Sequence, residues 1–426
     1  MMFNRLSNTQ GLSLLDNRGL FVSRQQSHWD VVIVGAGPVG GYAAYRLAKN
    51  GISVLLLEEH SEIGKPFQCA GLVNPRSMKK VELEHTILSQ VNGARMYSPS
   101  GIEVKIGRAN TIRTHVVCRK LFDEGVVRKG LEAGAELWLK SKPLDVSIDS
   151  EGVSLSIQKQ NEKVSITASL LIGCDGAHSW VQRQLKMGKP KEFMIGYQVE
   201  VTGYRGVEGY LDMFTGNDVA PGLFAWAIPN GKTHRIGVWS RAEDLDGRSC
   251  EQLIEYLMKQ SQWSERFDNC RETARFCGPI PCGFVPKPWK QRSILLGDAG
   301  GMAKPTTGGG IGPGFEAVDS VIDGLVSGIN RNKLTEKDMK KIAKPLMGMR
   351  KRQEKARALR DLFVTSCSDD ELDTHFEIFS RPEVIKLINE EGDIEKPVPL
   401  GMTLLRKVPK FRPLALKAGF AILRSR

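Results

Sequence analysis

The chain has 426 residues, 41% of them hydrophobic, which is enough for two domains or one elaborated domain and excludes wholesale disorder. Its 60 Lys and Arg outnumber 48 Asp and Glu, a net charge of +12, which favours an anionic partner such as a phosphorylated substrate or a membrane surface. No nucleic-acid-binding motif accompanies that charge, so nucleic acid is not expected, and the eight scattered cysteines form no C-x-x-C pair, which argues against a zinc ribbon or an iron–sulfur cluster.

Residues 1–29 lack periodicity and read as an N-terminal tail; Arg5, Arg18 and Arg24 among serines give it a faint likeness to a transit peptide. No apolar run reaches the length of a membrane-spanning helix. Residues 30–59 then form a complete unit. The β-branched run 31–34 predicts a buried parallel strand that stops at Gly35. Gly35, Gly37 and Gly40 spell G-x-G-x-x-G, residues 42–49 have helical spacing, and residues 53–57 predict a second strand that ends in Glu58 and Glu59. Such glycines allow a tight turn, close approach of backbone to a pyrophosphate, and helix-on-strand contact. The helix N-terminus attracts the diphosphate, and Glu58 is placed to accept hydrogen bonds from a ribose.

Residues 62–76 read as a loop, punctuated by Gly64, Pro66, Gly71 and Pro75. Strand-like pieces follow over 94–114, then a helix over 120–134 with Leu121, Phe122, Val126, Val127 and Leu131 on its apolar side. Short strands are predicted at 137–139, 144–148, 153–157 and 164–172, the last entering Gly173-Cys174-Asp175-Gly176. Alternation with turn signals over 193–239 predicts an antiparallel sheet, and residues 250–260 a helix. A buried strand at 293–296 ends at Gly297-Asp298. The glycine-rich stretch 308–314 opens a helix over 315–328. Beyond Leu334 the chain turns basic and helical to about Phe363, with a break at Pro345.

Three glycine–acid elements, each after an apolar strand, are GAGPVG at Gly35, GCDGAHS at Gly173 and GDAGGMAKPTTGGGIGPG at Gly297. With them the chain resembles FAD-dependent oxidoreductases with the para-hydroxybenzoate hydroxylase fold. The resemblance implies an α/β architecture: a discontinuous, Rossmann-like FAD-binding domain (30–76, 113–185 and 286–330), a substrate domain built on an antiparallel sheet (77–112 and 186–285), and a helical, basic C-terminal region (331–426). It implies that Asp298 lies on the ribityl–pyrophosphate side of FAD and that the backbone of Gly310 and Ile311 approaches the flavin ring. The family's D-G-x-x-S-x-x-R would place Arg at Gln182, whereas this chain has Arg183 one position later.

The loop EIGKPFQCAGLV matches the E-I-G-x-P-x-x-C-[AG] of geranylgeranyl reductases, with Leu72 where members often carry glycine. The resemblance implies that Cys69 and Ala70 face the flavin and that Arg119, in the R-x-x-F-D element, contacts the cofactor. Pro221, Trp226 and Pro229 match the family's P-x-x-Y-x-W-x-F-P, while Phe224 replaces Tyr and Ile228 replaces Phe. Phe224, Trp226 and Ile228 share one face of a strand by their spacing, a wall suited to an isoprenoid chain. The same stretch half-matches the W-x-W-x-I-P of flavin-dependent halogenases.

The expected activity is reduction of geranylgeranyl double bonds by reduced FAD, on archaeal-type ether phospholipids, with Cys69 as the named proton-donor candidate beside water and the flavin. The external electron donor is left among reduced ferredoxin, a deazaflavin and NAD(P)H. Alternatives are an FAD- and NADPH-dependent monooxygenase of an aromatic or polyprenyl substrate and a non-catalytic flavin-binding prenyl-lipid carrier. No metal site is expected. Residues 401–426 carry Arg406, Lys407, Lys410, Arg412, Lys417, Arg424 and Arg426 among apolar residues and no acid, which suggests a segment that docks on an anionic membrane surface. The localisation expected is cytoplasmic with peripheral membrane association.

Overall fold

A computed structural model of the chain describes residues 27–66, 69–392, 397–409 and 417, with the backbone alone for 397–399, 402 and 405. Strand β1 (His28–Val34) leads to α1 (Pro38–Ala48), β2 (Val54–Leu57), β3 (Leu72–Val73), α2 (Pro75–Val81), β4 (Ile87–Val91), β5 (Gly93–Tyr97), β6 (Glu103–Gly107), β7 (Thr114–Val117) and α3 (Arg119–Glu132). Next come β8 (Glu136–Trp138), β9 (Ser141–Ile148), β10 (Val153–Lys159), β11 (Glu162–Gly173), α4 (Trp180–Gln184), β12 (Glu192–Thr202), β13 (Tyr210–Gly216), β14 (Ala220–Asn230), β15 (Thr233–Arg241), α5 (Cys250–Lys259) and β16 (Arg271–Cys282). They are followed by β17 (Trp289–Lys290), β18 (Ser293–Leu295), α6 (Ile311–Asn330), α7 (Glu336–Ile342), α8 (Lys344–Arg360), α9 (Asp369–Phe379), α10 (Pro382–Glu391) and α11 (Pro397–Lys407).

Strands β18, β11, β1, β2 and β8 run parallel in an eight-stranded sheet, extended by β17 at one edge and by the β9–β10 hairpin off β11. The unbroken apolar run of β1 is explained by burial on both faces. Val31 and Ile33 pack with α1, α3 and α6, whereas Val32 and Val34 pack with Leu55, Leu57, Leu155 and Leu171. Helices α1 and α3 touch through glycine: a methyl on Gly41 would stand 2.9 Å from Val127 Cγ2, and one on Gly130 3.3 Å from Ala44 Cβ. That contact fixes which side of α3 is inside. Phe122, Val126 and Val127 are buried, but Leu121 and Leu131, expected on the apolar side, are exposed.

The second sheet has seven strands in the order β16-β12-β15-β14-β13-β5-β6. It departs from the expected antiparallel pattern at one seam, because β13 and β5 pair in parallel. One face, carrying Val199, Val201, Phe214, Ala225, Ile236 and Val238, is covered by α5, whose start is fixed by a capping box between Ser249 and Gln252. The opposite face carries Phe224, Trp226 and Trp239. A small sheet of β3, β7 and β4 joins the two halves, so residues 62–76 are not wholly loop.

The break expected at Pro345 falls where α7 ends and α8 begins: Ala343 caps both, and Pro345 stands in the first turn of α8, where its missing N–H costs nothing. The C-terminal region is not basic throughout, since α9 opens on Asp369, Asp370 and Glu371. Asp369 and Asp373 accept hydrogen bonds from the backbone N–H groups of Asn217 and Ser100, anchoring α9 on the second sheet. Of the segment 401–426, Leu404 and Val408 are buried against Val384, and Lys407 pairs with Glu391 at 2.8 Å. Lys410, Arg412, Arg424 and Arg426 lie outside the described residues, as do residues 1–26 of the tail. No helix among the described residues is long and apolar enough to cross a membrane.

Candidate functional site

The turn between β1 and α1 is built by its glycines. Gly35 has φ +97°, and a Cβ there would lie 2.5 Å from the Cys174 carbonyl oxygen; a Cβ on Gly40 would meet the Gly35 oxygen at 1.9 Å. Gly37 is the exception, with nothing within 4 Å of its would-be Cβ. It is the N-cap of α1, no side chain caps that end, and the open space beside it is where an anion on the helix N-terminus would sit. At the end of β2, Glu58 accepts hydrogen bonds from the Ala36 N–H (3.0 Å) and the His60 N–H (3.0 Å), which holds the carboxylate beside the turn.

The three glycine–acid elements converge on this turn. Gly35 abuts Cys174 and Asp175, and the Val39 side chain of α1 fills the space left by the absent side chains of Gly297 and Gly314. Asp175 accepts hydrogen bonds from Ser179 Oγ (2.5 Å) and the Val181 N–H (3.0 Å), so it organises the entry to α4. Arg183 donates to the His178 carbonyl instead of pairing with Asp175, in keeping with its shifted position.

Asp298, in the short helical turn after β18, points its carboxylate at the N-terminus of α6. A methyl on Gly310, the N-cap of that helix, would stand 2.6 Å from Asp298 Oδ1, and no side chain caps α6. Burial pushes the Asp298 carboxyl up to about 6, and the Arg119 guanidinium opposes that rise. Ile311, the first residue of α6, is buried. Arg119, at the start of α3, forms a bidentate pair with Asp123 (3.0 and 2.8 Å) on the next turn. Burial would pull its pKa down, but Asp123 and Cys69 outweigh that and raise it. The sulfur of Cys69 accepts the Gly71 N–H at 3.4 Å. Asp298, Gly310, Arg119 and Cys69 therefore occupy one neighbourhood, although they come from three separate stretches of the chain.

The apolar wall borders the same place. Phe224 and Trp226 lie 6.3 Å apart edge to face, and Phe224 meets Trp239 at 5.5 Å. Trp226 lies flat over Gly237, where a methyl would be 2.4 Å from its ring. Phe224 and Trp226 cluster with Met194, Leu223 and Trp239, while Ile228 clusters with Val91, Val116, Trp226 and Ala70 of the cysteine loop. On the other side, a methyl on Gly308 would be 3.2 Å from the Trp239 ring.

Sequence reading passed over a polar set on this sheet face. Gln198 Nε2 donates to the Cys69 carbonyl (3.2 Å), and Arg235 Nη1 donates to the Ala70 carbonyl (2.8 Å). Arg235 is only 4% exposed and pairs with Glu200 at 3.5 Å. The available signal was an Arg two positions before Gly237 and four before Trp239, on the same face of one strand. All eight cysteines are free thiols, and among the described residues no cluster of His, Cys, Asp or Glu could hold a metal ion.

These features coincide with family membership. Residues 28–318 match the FAD binding domain family, so the chain belongs to that family. The open Gly37 cradle, the uncapped starts of α1 and α6 and Glu58 at the end of β2 fit such a cofactor. The chain is 29% identical over 381 residues to digeranylgeranylglycerophospholipid reductase 3 of Methanosphaera stadtmanae (84% of this chain, 92% of that one). It is 30% identical over 334 residues to digeranylgeranylglycerophospholipid reductase 1 of Methanococcoides burtonii (76% of this chain, 80% of that one). The fold matches the crystal structure of a geranylgeranyl bacteriochlorophyll reductase-like protein from Thermoplasma acidophilum with a TM-score of 0.83, at 22% identity, over 92% of this chain and 100% of that one. Within the FAD-dependent oxidoreductases, the chain belongs to the geranylgeranyl reductase family.

Proposed function

We propose that the protein reduces double bonds of geranylgeranyl chains carried by archaeal-type ether phospholipids, as a step in membrane lipid biosynthesis. The observation that carries this reading is the sharing of one apolar cluster by Ala70 of the cysteine loop and Trp226 and Ile228 of β14. A greasy strand face thus runs up to the loop that borders Arg119, Asp298 and the start of α6.

In this reading Gly35, Gly37 and Gly40 receive the diphosphate and Glu58 the adenosine ribose. Asp298 stands on the ribityl side, and the backbone of Gly310 and Ile311 at the uncapped start of α6 favours negative charge at the flavin ring. FAD bound here and reduced by the external donor would supply the hydride. Cys69 and Ala70 line the flavin face, and Arg119, fixed by Asp123, contacts the cofactor. Phe224, Trp226 and Ile228 hold the prenyl chain and exclude water, each buried methylene adding about 0.8 kcal/mol. An isolated alkene is a poor hydride acceptor, so positioning and proton supply must lower much of the barrier. Cys69 is the proton donor in this scheme, its thiol beside the Arg119 guanidinium and its neighbour Ala70 in the wall cluster.

Electrons come from outside the chain, from reduced ferredoxin, a deazaflavin or NAD(P)H. The lysines and arginines of residues 401–426 bring the cytoplasmic protein to the anionic membrane surface where its substrate lies. The test is reoxidation of chemically reduced holoprotein, without oxygen, by digeranylgeranylglycerophospholipid. Return of the oxidised flavin spectrum supports the reading; a flavin that stays reduced in the presence of the lipid until air is admitted counts against it.

A further inference from the structure

Arg235 is a costly residue for its place. It sits on β15 opposite Glu200 of β12 and Ile228 of β14, on a face it shares with Gln198, Trp226, Gly237 and Trp239. Burial of a cation there lowers its pKa, against the pull of Glu200 and Cys69. A buried ion pair is weak support for stability, because well-packed apolar residues in its place are often neutral or better. Its use is therefore sought in what the guanidinium touches. Nη1 donates to the Ala70 carbonyl at 2.8 Å, and Gln198 from the neighbouring strand donates to the Cys69 carbonyl at 3.2 Å. Gly71 makes that approach feasible: it has φ +79°, and a Cβ on it would lie 2.4 Å from Arg235 Nη1. On its far side, Gly71 accepts the Val117 N–H through its carbonyl at 2.9 Å.

We propose that Arg235, with Gln198, is the positioning residue of the cysteine loop: it grips the loop's backbone from the substrate sheet and so sets where Cys69 stands relative to Arg119 and the prenyl wall. The inference deepens the function proposed above and rests on it for the meaning of Cys69, but the grip itself is independent of any activity. Two successive carbonyls held from one sheet fix both position and rotation of the intervening peptide, which one contact would leave free. The two carbonyls are thus held by one bond each, from β12 and from β15, and β15 pairs directly with the wall strand β14, so filling of the wall by a chain is felt at the loop.

The test is alkylation of the FAD-loaded full chain by iodoacetamide, with every cysteine quantified by mass spectrometry, in wild type, Arg235→Gln and Arg235→Lys. Release of the loop predicts about a tenfold faster reaction of Cys69 in Arg235→Gln, the factor that about 1.4 kcal/mol of local opening supplies, with partial return in Arg235→Lys. The buried Cys174, Cys250 and Cys282 keep their wild-type rates. An unchanged Cys69 rate, or equal acceleration of all four, overturns the proposal, the second because it reports general unfolding. Turnover then separates the two claims. If Cys69→Ser lowers kcat, the Cys69→Ser/Arg235→Gln double variant should be no slower than Cys69→Ser. If Cys69→Ser turns over like wild type while Arg235→Gln still frees the loop, the grip stands and the catalytic role of Cys69 falls.

Discussion

The carboxylate of Asp298 and the backbone of Gly310 face each other at the start of α6, so closely that a methyl on Gly310 would lie 2.6 Å from Oδ1. The acid occupies the approach to an uncapped helix end, and only glycine lets the two coexist. Gly310→Ala should therefore displace the loop rather than unfold the chain. Overpacking of about 2 kcal/mol predicts roughly a 30-fold weaker FAD affinity, read by fluorescence titration, with little change in melting temperature of the apoprotein.

Asp298 also predicts a pH dependence. Its carboxyl is raised by burial from an ordinary 3.8 to about 6, the opposite of a salt-bridged acid. Between those values the folded state holds a proton that the unfolded state has lost, so this group's contribution is most favourable below pH 4 and is lost as pH rises towards and through 6. Asp298→Asn removes the effect. The apoprotein variant should gain melting temperature relative to wild type as pH rises from 4 to 7; a constant difference across that range would count against the assignment.

Arg119 and Asp123 form a buried pair whose two roles can be separated. Arg119→Gln strands the Asp123 carboxylate and should cost about 3–5 kcal/mol in urea unfolding. An Arg119→Met/Asp123→Leu double variant should recover most of that stability. It should not recover flavin turnover, because the guanidinium beside Cys69 is gone.

Trp226 covers Gly237, and a methyl there would stand 2.4 Å from the indole. Gly237→Ala therefore tilts the wall without altering any residue of the cofactor loops. A penalty of about 1–2 kcal/mol predicts roughly a tenfold rise in KM for a geranylgeranyl lipid, with kcat and FAD affinity close to wild type.

Membrane docking is tested by co-sedimentation with anionic and neutral vesicles, with and without residues 410–426. Loss of binding to the anionic vesicles alone is the expected outcome, at about 1 kcal/mol for each cation removed from the surface. Equal sedimentation of both chains would remove the segment from the account.

Local chemistry made much of this protein readable before its fold was seen. Gly35, Gly37, Gly40 and Glu58 lie within one β–α–β unit whose turn geometry is set by neighbours in sequence, and so they announce themselves. The Phe224–Trp226–Ile228 face follows in the same way from alternation along one strand. What escaped depends on partners far away in the chain. The grip of Arg235 on Ala70 spans 165 positions, and no periodicity signals it. Leu121 and Leu131 looked interior because helical spacing alone cannot tell that Gly41 and Gly130 draw α1 onto the other side of α3. The parallel pairing of β5 with β13 is likewise a long-range choice.

The central claim is that the chain adds hydrogen across isolated prenyl double bonds. The most direct measurement is anaerobic incubation of dithionite-reduced, FAD-loaded protein with digeranylgeranylglycerophospholipid, followed by mass spectrometry of the lipid. Product masses should climb in steps of two hydrogens, with no oxygen incorporated. A lipid of unchanged mass alongside a fully reduced flavin, or a product that forms only in air and carries an added oxygen atom, would contradict it.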